Sequence, residues 1–216
     1  MRLKNIPQSK DAIEKSALCI SDPVSYKGHW SKSFFQDKPL FIEIGTGKGQ
    51  FIMSQSLLNP NIGYLGIEYY SSVIYRALQK LEADPRDNLK LIRFDANNVL
   101  EIFAPREVDH LFLNFSDPWP KDRHAKRRLT SPGFLDKYDI ILSEEAIIEF
   151  KTDNRQLFDY SVQTITEHPA FELSSLTYDL YSDEKMLSGN IPTEYEERFT
   201  SEGKPICKLI AVHTGS

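Results

Sequence analysis

Short apolar runs alternate with stretches of helical periodicity along most of this chain, and that rhythm leaves few folds open. The runs at 40–44, 64–68, 89–94, 110–115 and 146–151 each suit a buried strand. Between them, 49–58, 71–82, 132–142 and 154–167 carry apolar positions at helical spacing. Strands joined through helices lie parallel, because each crossover returns the chain to the same end of the sheet. After Pro169 the rhythm changes to two strand-like runs, 171–178 and 206–212, separated by a long loop, which predicts an antiparallel finish. The expected architecture is α/β, a doubly wound and mostly parallel sheet whose ligands sit beyond the carboxyl ends of the strands. Residues 38–216 are expected to form that domain. Residues 1–37, with Pro7, Pro23 and Gly28 among polar groups, read as a basic N-terminal arm.

A chain of 216 residues with 40% hydrophobic and 12% aromatic content can bury an ordinary core. Its two cysteines, Cys19 and Cys207, lie far apart and form no ligand spacing with a histidine. We therefore expect a reduced cytoplasmic protein with neither disulfide nor metal. Met1-Arg2-Leu3-Lys4-Asn5 has no apolar signal core, and no run approaches the roughly 18 apolar residues of a membrane helix. The net charge of −5 hides a strongly uneven distribution, since Lys121, Arg123, Lys126, Arg127 and Arg128 fall within one short stretch. Charges further apart than a Debye length of about 8 to 10 Å are largely screened, so a basic loop on an acidic body still attracts phosphate. Monomer and homodimer both remain open.

Glu43-Ile44-Gly45-Thr46-Gly47-Lys48-Gly49 closes the first strand-like run and leads into a helix. Gly45, Gly47 and Gly49 permit a tight turn with close backbone approach to a ligand. A dinucleotide fingerprint would read Gly-x-Gly-x-x-Gly, yet Gln50 stands where its third glycine belongs. Glu43 would also repel a pyrophosphate. A carboxylate there suits a cationic ligand, which favours S-adenosylmethionine and a Rossmann-like sheet of the class I methyltransferase type. Glu68 ends the next strand, where a carboxylate accepts from ribose hydroxyls in such folds. Asp95 could accept from an adenine amine, with Ala96 and Asn97 edging its pocket. Each acid taken singly also fits an ordinary strand end or helix cap.

The second informative stretch runs from Asn114 through Ser116-Asp117-Pro118-Trp119-Pro120-Lys121 into the basic residues up to Arg128. A proline-stiffened carboxylate and an indole can meet a purine edge or face, while cations beside them hold its phosphates. The pattern suggests group transfer to nucleic acid, with Asp117 as the catalytic candidate. Lys121, Arg123, Arg127 and Arg128 are candidates for the polyanion, although Arg123 and Arg127, four apart, also fit a solvated helix face.

These segments together resemble the bacterial tRNA (guanine-N7-)-methyltransferases. The resemblance rests on Glu43 to Gly49, Gly66-Ile67-Glu68, Ser116 to Lys121, Arg123-His124-x-Lys126-Arg-Arg-Leu-Thr130, Thr152-Asp-Asn-Arg155 and Thr193-Glu-Tyr-Glu-Glu-x-Phe199. It implies methylation of the variable-loop guanosine at tRNA nucleotide 46. It further implies that Glu43, Glu68, Asp95 and Asp117 contact the methyl donor. Lys121, Asp153, Thr193, Glu194, Tyr195 and Glu196 would contact the RNA.

The residues leave some roles open. Asp153 precedes a helix with Gln156 three residues on, a fair cap, and Thr193 with Glu196 fits a capping box. Asp153 and Glu196 are also candidates for guanine recognition. The Asp-Pro-Trp sequence loosely resembles the Asp-Pro-Pro-aromatic motif of amino-methyltransferases, so transfer to an exocyclic amine is the nearest rival. A nicotinamide-dependent oxidoreductase and a catalytically silent RNA-binding protein complete the alternatives.

Overall fold

The computed structural model describes residues 6–215. The chain divides into two compact units, one up to Ala104 and one from Pro105 onward. Residues 1–5 of the expected arm lie outside the described residues.

The first unit holds β1 (Cys19–Ile20), β2 (Leu40–Ile44), β3 (Gly63–Glu68) and β4 (Leu89–Arg93). Their order is β1-β4-β3-β2, and every pairing is parallel. All six residues of β3 are buried, as expected for an inner strand of a parallel sheet covered on both faces. Helix Ser71–Ala83 forms because Ile74, Ala77, Leu78 and Leu81 recur at i, i+3, i+4 and i+7, one buried stripe beneath a polar face.

The segment before Lys38 is folded onto this unit. Helix Ser9–Lys15 packs against helix Ser71–Ala83, and β1 extends the sheet through Cys19↔Leu91. Trp30 is fully buried among Tyr26, Phe34 and Phe103, and its Nε1 donates to the Ile102 carbonyl at 2.7 Å. Gly63 leaves the space that Phe35 fills, since a Cβ there would stand 2.4 Å from the Phe35 ring. The compact division falls at Ala104/Pro105.

The second unit holds β5 (Val108–Asn114), β6 (Leu142–Thr152), β7 (Phe171–Thr177) and β8 (Cys207–His213), ordered β5-β6-β8-β7. β5 and β6 are parallel, and β8 runs antiparallel to both β6 and β7. The fold class is the expected α/β type with mostly parallel strands and an antiparallel C-terminal strand. Helix Pro132–Ile141 starts with proline in its first turn, where the missing N–H costs nothing. The Asn154 side chain caps helix Arg155–Glu167 by accepting from Leu157 N at 2.8 Å.

Two expectations change here. β6 begins at Leu142, four residues early, because helix Pro132–Ile141 passes directly into it and the exposed Glu144 and Glu145 break the apolar run that marks a strand. The stretch between β7 and β8 is no plain loop, for it contains helices Glu184–Leu187 and Glu194–Ser201. Among the described residues, no helix is long and apolar enough to cross a membrane.

Candidate functional site

In the first unit, the carboxyl ends of β2, β3 and β4 bring the glycine loop and its acids together. Glu43 is 2% exposed, and its Oε2 accepts from Thr46 Oγ1 at 2.6 Å. Burying a carboxylate is unfavourable unless partners compensate, and the Thr46 hydroxyl is one such partner. The loop backbone is fixed by the amides of Gly45 and Thr46, which both donate to the Ile67 carbonyl at 2.8 and 3.0 Å. Glu68 anchors it from the neighbouring strand, accepting from Gly47 N at 3.2 Å and Tyr70 N at 3.0 Å. Asp95 accepts from the amide and side chain of Asn97 at 2.9 and 2.8 Å, which orients its carboxylate at the start of the Ala96–Asn98 turn.

The glycines divide into two kinds. Gly45 and Gly47 take φ of 82° and 58°, and a Cβ on Gly45 would meet nothing within 4 Å. The open space above the loop lets a ligand approach the backbone. Gly49, at φ 77°, is needed for packing, because its Cβ would lie 2.9 Å from that of Ala77. A buried acid, an open loop and two oriented carboxylates fit a cationic adenosyl ligand.

In the second unit, β5 ends in a bent loop around Asp117. Phe115 and Trp119 occupy the left-handed region at φ 50° and 42°, each costing on the order of 1–3 kcal/mol for such residues. Both bends are clamped. Phe115 N donates to the Lys151 carbonyl at 2.8 Å, and Arg128 donates from Nε and Nη2 to the Pro118 and Trp119 carbonyls at 3.1 Å each. Asp117 stands exposed between them. The Arg128 guanidinium also lies 4.3 Å from the Tyr160 ring centroid, so it acts as a strut under the loop. Arg127 stacks over Trp119 at 4.8 Å and remains exposed with Lys121 and Arg123.

The remaining candidates separate by which way they face. Asp153 is exposed at the end of β6, and the capping function suggested for it belongs to Asn154. Thr193 and Glu196 form a complete capping box for helix Glu194–Ser201. Glu196 is fully buried and pairs with the equally buried Lys151 at 2.7 Å. It accepts from Asn190 Nδ2 at 2.6 Å and from Tyr181 O–H at 3.1 Å. Burial and the neighbouring Glu196 carboxylate push the Tyr181 phenol up to about 12. Burial draws the Lys151 pKa below the ordinary lysine value, although Glu196 opposes that shift. Tyr195 is 53% exposed and stacks on Phe115 with ring centroids 6.3 Å apart, which joins this helix to the Asp117 loop.

Lys151 escaped the sequence reading. Its signal was a lysine inside the apolar run Ala146-Ile147-Ile148-Glu149-Phe150-Lys151, on the same strand face as Glu149. Among the described residues, no three His, Cys, Asp or Glu gather as a metal site.

The fold is that of a class I methyltransferase. Solved structures agree at the level of fold: the 16S rRNA methyltransferase KamB superposes with a TM-score of 0.62 at 15% identity, over 85% of this chain and 92% of that one. An antibiotic-related methyltransferase gives 0.56 at 14%, over 99% and 98%. The profile of a family described as "Putative methyltransferase" matches residues 37–209. A tRNA (guanine-N(7)-)-methyltransferase of Lachnoclostridium phytofermentans is 53% identical over 98% of both chains. One from Bacillus subtilis is 46% identical over 95% of this chain and 96% of its own. The chain belongs to the tRNA (guanine-N(7)-)-methyltransferase family.

Proposed function

We propose that this protein transfers a methyl group from S-adenosylmethionine to N7 of the variable-loop guanosine at nucleotide 46 of tRNA, in the cytoplasm. The observation that carries the reading is the exposed carboxylate of Asp117, set between two clamped backbone bends beside an arginine-stacked indole. When bound, S-adenosylmethionine supplies an electrophilic methyl carbon on a positively charged sulfur. Glu43, Glu68, Asp95 and the Gly45–Gly47 backbone are the residues that would hold it, with the buried Glu43 charge favouring a cation.

Guanine N7 carries an in-plane lone pair and no hydrogen, so its methylation requires no general base. The second unit has two tasks: to hold the ring in line for attack, and to stabilise positive charge as it develops on the purine. Asp117 supports the second task because its carboxylate is exposed on a rigid loop. Asp153 is suited to accept from guanine N1–H and the 2-amino group, where adenine would leave an oxygen unpaired. Glu196, one of the two residues offered for that role, is occupied by Lys151. Lys121, Arg123, Lys126 and Arg127 are exposed cations available to phosphate, and Tyr195 adds a face for stacking.

The test is labelled methyl transfer to unmodified tRNA, followed by borohydride and aniline scission. Cleavage at one variable-loop guanosine is expected, since that chemistry follows N7-methylguanosine. Methyl incorporation without scission would point to an exocyclic amine, and no incorporation to a silent RNA-binding protein.

A further inference from the structure

The Lys151 ammonium has three protons and three acceptors: Glu196 Oε2 at 2.7 Å, the Ile191 carbonyl at 2.9 Å and Asn190 Oδ1 at 3.2 Å. Glu196 is equally occupied. Its Oε2 also accepts from Thr193 N at 3.3 Å, while Oε1 takes Tyr181 and Asn190. Both side chains are fully buried, so neither charge is offered to a ligand.

An enclosed ion pair is a poor source of net stability, because desolvation opposes the attraction, and an apolar pair of similar volume often serves as well. What it supplies is direction. Between Ser188 and Glu196 the only aliphatic side chain is Ile191, apart from Pro192, and Tyr195 is half exposed with its ring against Phe115. Phe199 packs beside Phe115 against Leu180, Met186 and Ile206 and anchors the far end of the segment, while the hydrogen bonds centred on Lys151 and Glu196 fix the part from Asn190 to Glu196. From its main chain the same lysine holds Phe115, which precedes Asp117 by two residues and stacks on Tyr195.

We propose that Lys151 is a positioning residue: it locks residues 190–196 against the Asp117 loop, so that Tyr195 and its neighbours present a preformed RNA-binding face. The inference rests on the reading of the second unit as the RNA side. Preorganisation of this kind acts on the affinity and placement of the nucleic acid, and leaves the donor residues of the first unit untouched.

The test uses Lys151→Met in the full chain, which keeps the stem and removes the donors. Hydrogen exchange of amides 190–196 is expected to rise about tenfold or more, with helix Arg155–Glu167 unchanged as internal reference. KM for unmodified tRNA should rise about tenfold while titrated S-adenosylmethionine affinity stays within about twofold. Unchanged exchange in 190–196, equal loosening of the reference helix, or an unchanged KM for tRNA in the folded variant would overturn the proposal. Should Lys151→Met not fold, Tyr181→Phe and Asn190→Ala each remove bonds to Glu196 at the rim of the network. Both are expected to raise KM for tRNA about two- to fivefold, and no rise overturns the proposal. A wild-type protein that fails to methylate tRNA overturns the functional reading instead, and the exchange measurement still decides whether Lys151 orders the segment.

Discussion

The two units treat their charged residues in opposite ways. In the first, Glu43, Glu68 and Asp95 all gather at the carboxyl ends of β2, β3 and β4, and their neighbours orient them around an open glycine loop. In the second, the charged candidates divide: Asp117, Asp153, Lys121 and Arg127 face solvent, whereas Arg128 and Glu196 are turned onto the protein itself. The difference follows from what holds each site. Parallel strands deliver side chains to a ligand region by topology alone, while a bent loop and an isolated helical turn need internal polar struts.

The largest predicted effect probes the exposed group of the second unit. Asp117→Ala should lower turnover about 100-fold or more, the scale of removing one preorganised electrostatic contact, without loss of folding. Its side chain is exposed, so a variant that is folded and nearly as active as wild type would remove Asp117 from catalysis. The matching probe of the first unit is Glu43→Gln, which keeps shape and the Thr46 contact but removes the charge. S-adenosylmethionine affinity should fall about tenfold, or about 1.4 kcal/mol, by calorimetric titration. Equal binding would mean that the buried charge does not face the sulfonium or amino group.

Arg127 and Arg128 separate the outward and inward uses of charge within one dipeptide. If Arg127 meets phosphate, Arg127→Ala should make the slope of log binding against log salt shallower by about 0.7 to 0.9. Arg128→Ala should leave the slope nearly unchanged and lower turnover severalfold, because the Pro118 and Trp119 carbonyls lose their donors. Identical salt slopes for both variants, each shallower than wild type, would return Arg128 to the phosphate side.

Much of the first unit was legible in the sequence, for reasons particular to its elements. The run at 40–44 coincides with β2, and helix 71–82 differs from the observed one by a single residue, because both are buried along a simple period. The first 37 residues were harder to read. β1 is only two residues long, too short for any period, and the signal of burial was the aromatic group Trp30, Phe34 and Phe35. In the second unit, residue type marked the charged cluster but could not indicate direction. Asp153 and Asn154 are both good caps on composition, and only the chain path decides that Asn154 takes the role. Glu196 likewise reads as a capping-box acid or a ligand contact until Lys151 is found opposite it.

The last prediction concerns a half-buried group that the site does not use. His110 lies in β5, stacked on Phe112 with ring centroids 4.1 Å apart. Burial, aided by the Lys208 charge, pushes its pKa down to about 3. The folded protein therefore keeps this imidazole neutral across the range in which the unfolded chain, with a histidine pKa near 6.5, takes up a proton. In that window the unfolded state binds more protons, so the residue's contribution to stability is lost as pH falls from about 6.5 toward about 3. His110→Phe, which retains an aromatic ring beside Phe112, should reduce the slope of unfolding free energy against pH by up to about 1.4 kcal/mol per unit in that window. Urea unfolding at a series of pH values, for wild type and variant, measures the difference. Parallel curves would mean that the folded state protonates His110 as readily as the unfolded chain does, and that this face of β5 is open to water. Because His110 and Asp117 share β5 and the loop it feeds, a slope that flattens in the variant while methyl transfer persists would separate what the strand contributes to folding from what its end contributes to the reaction.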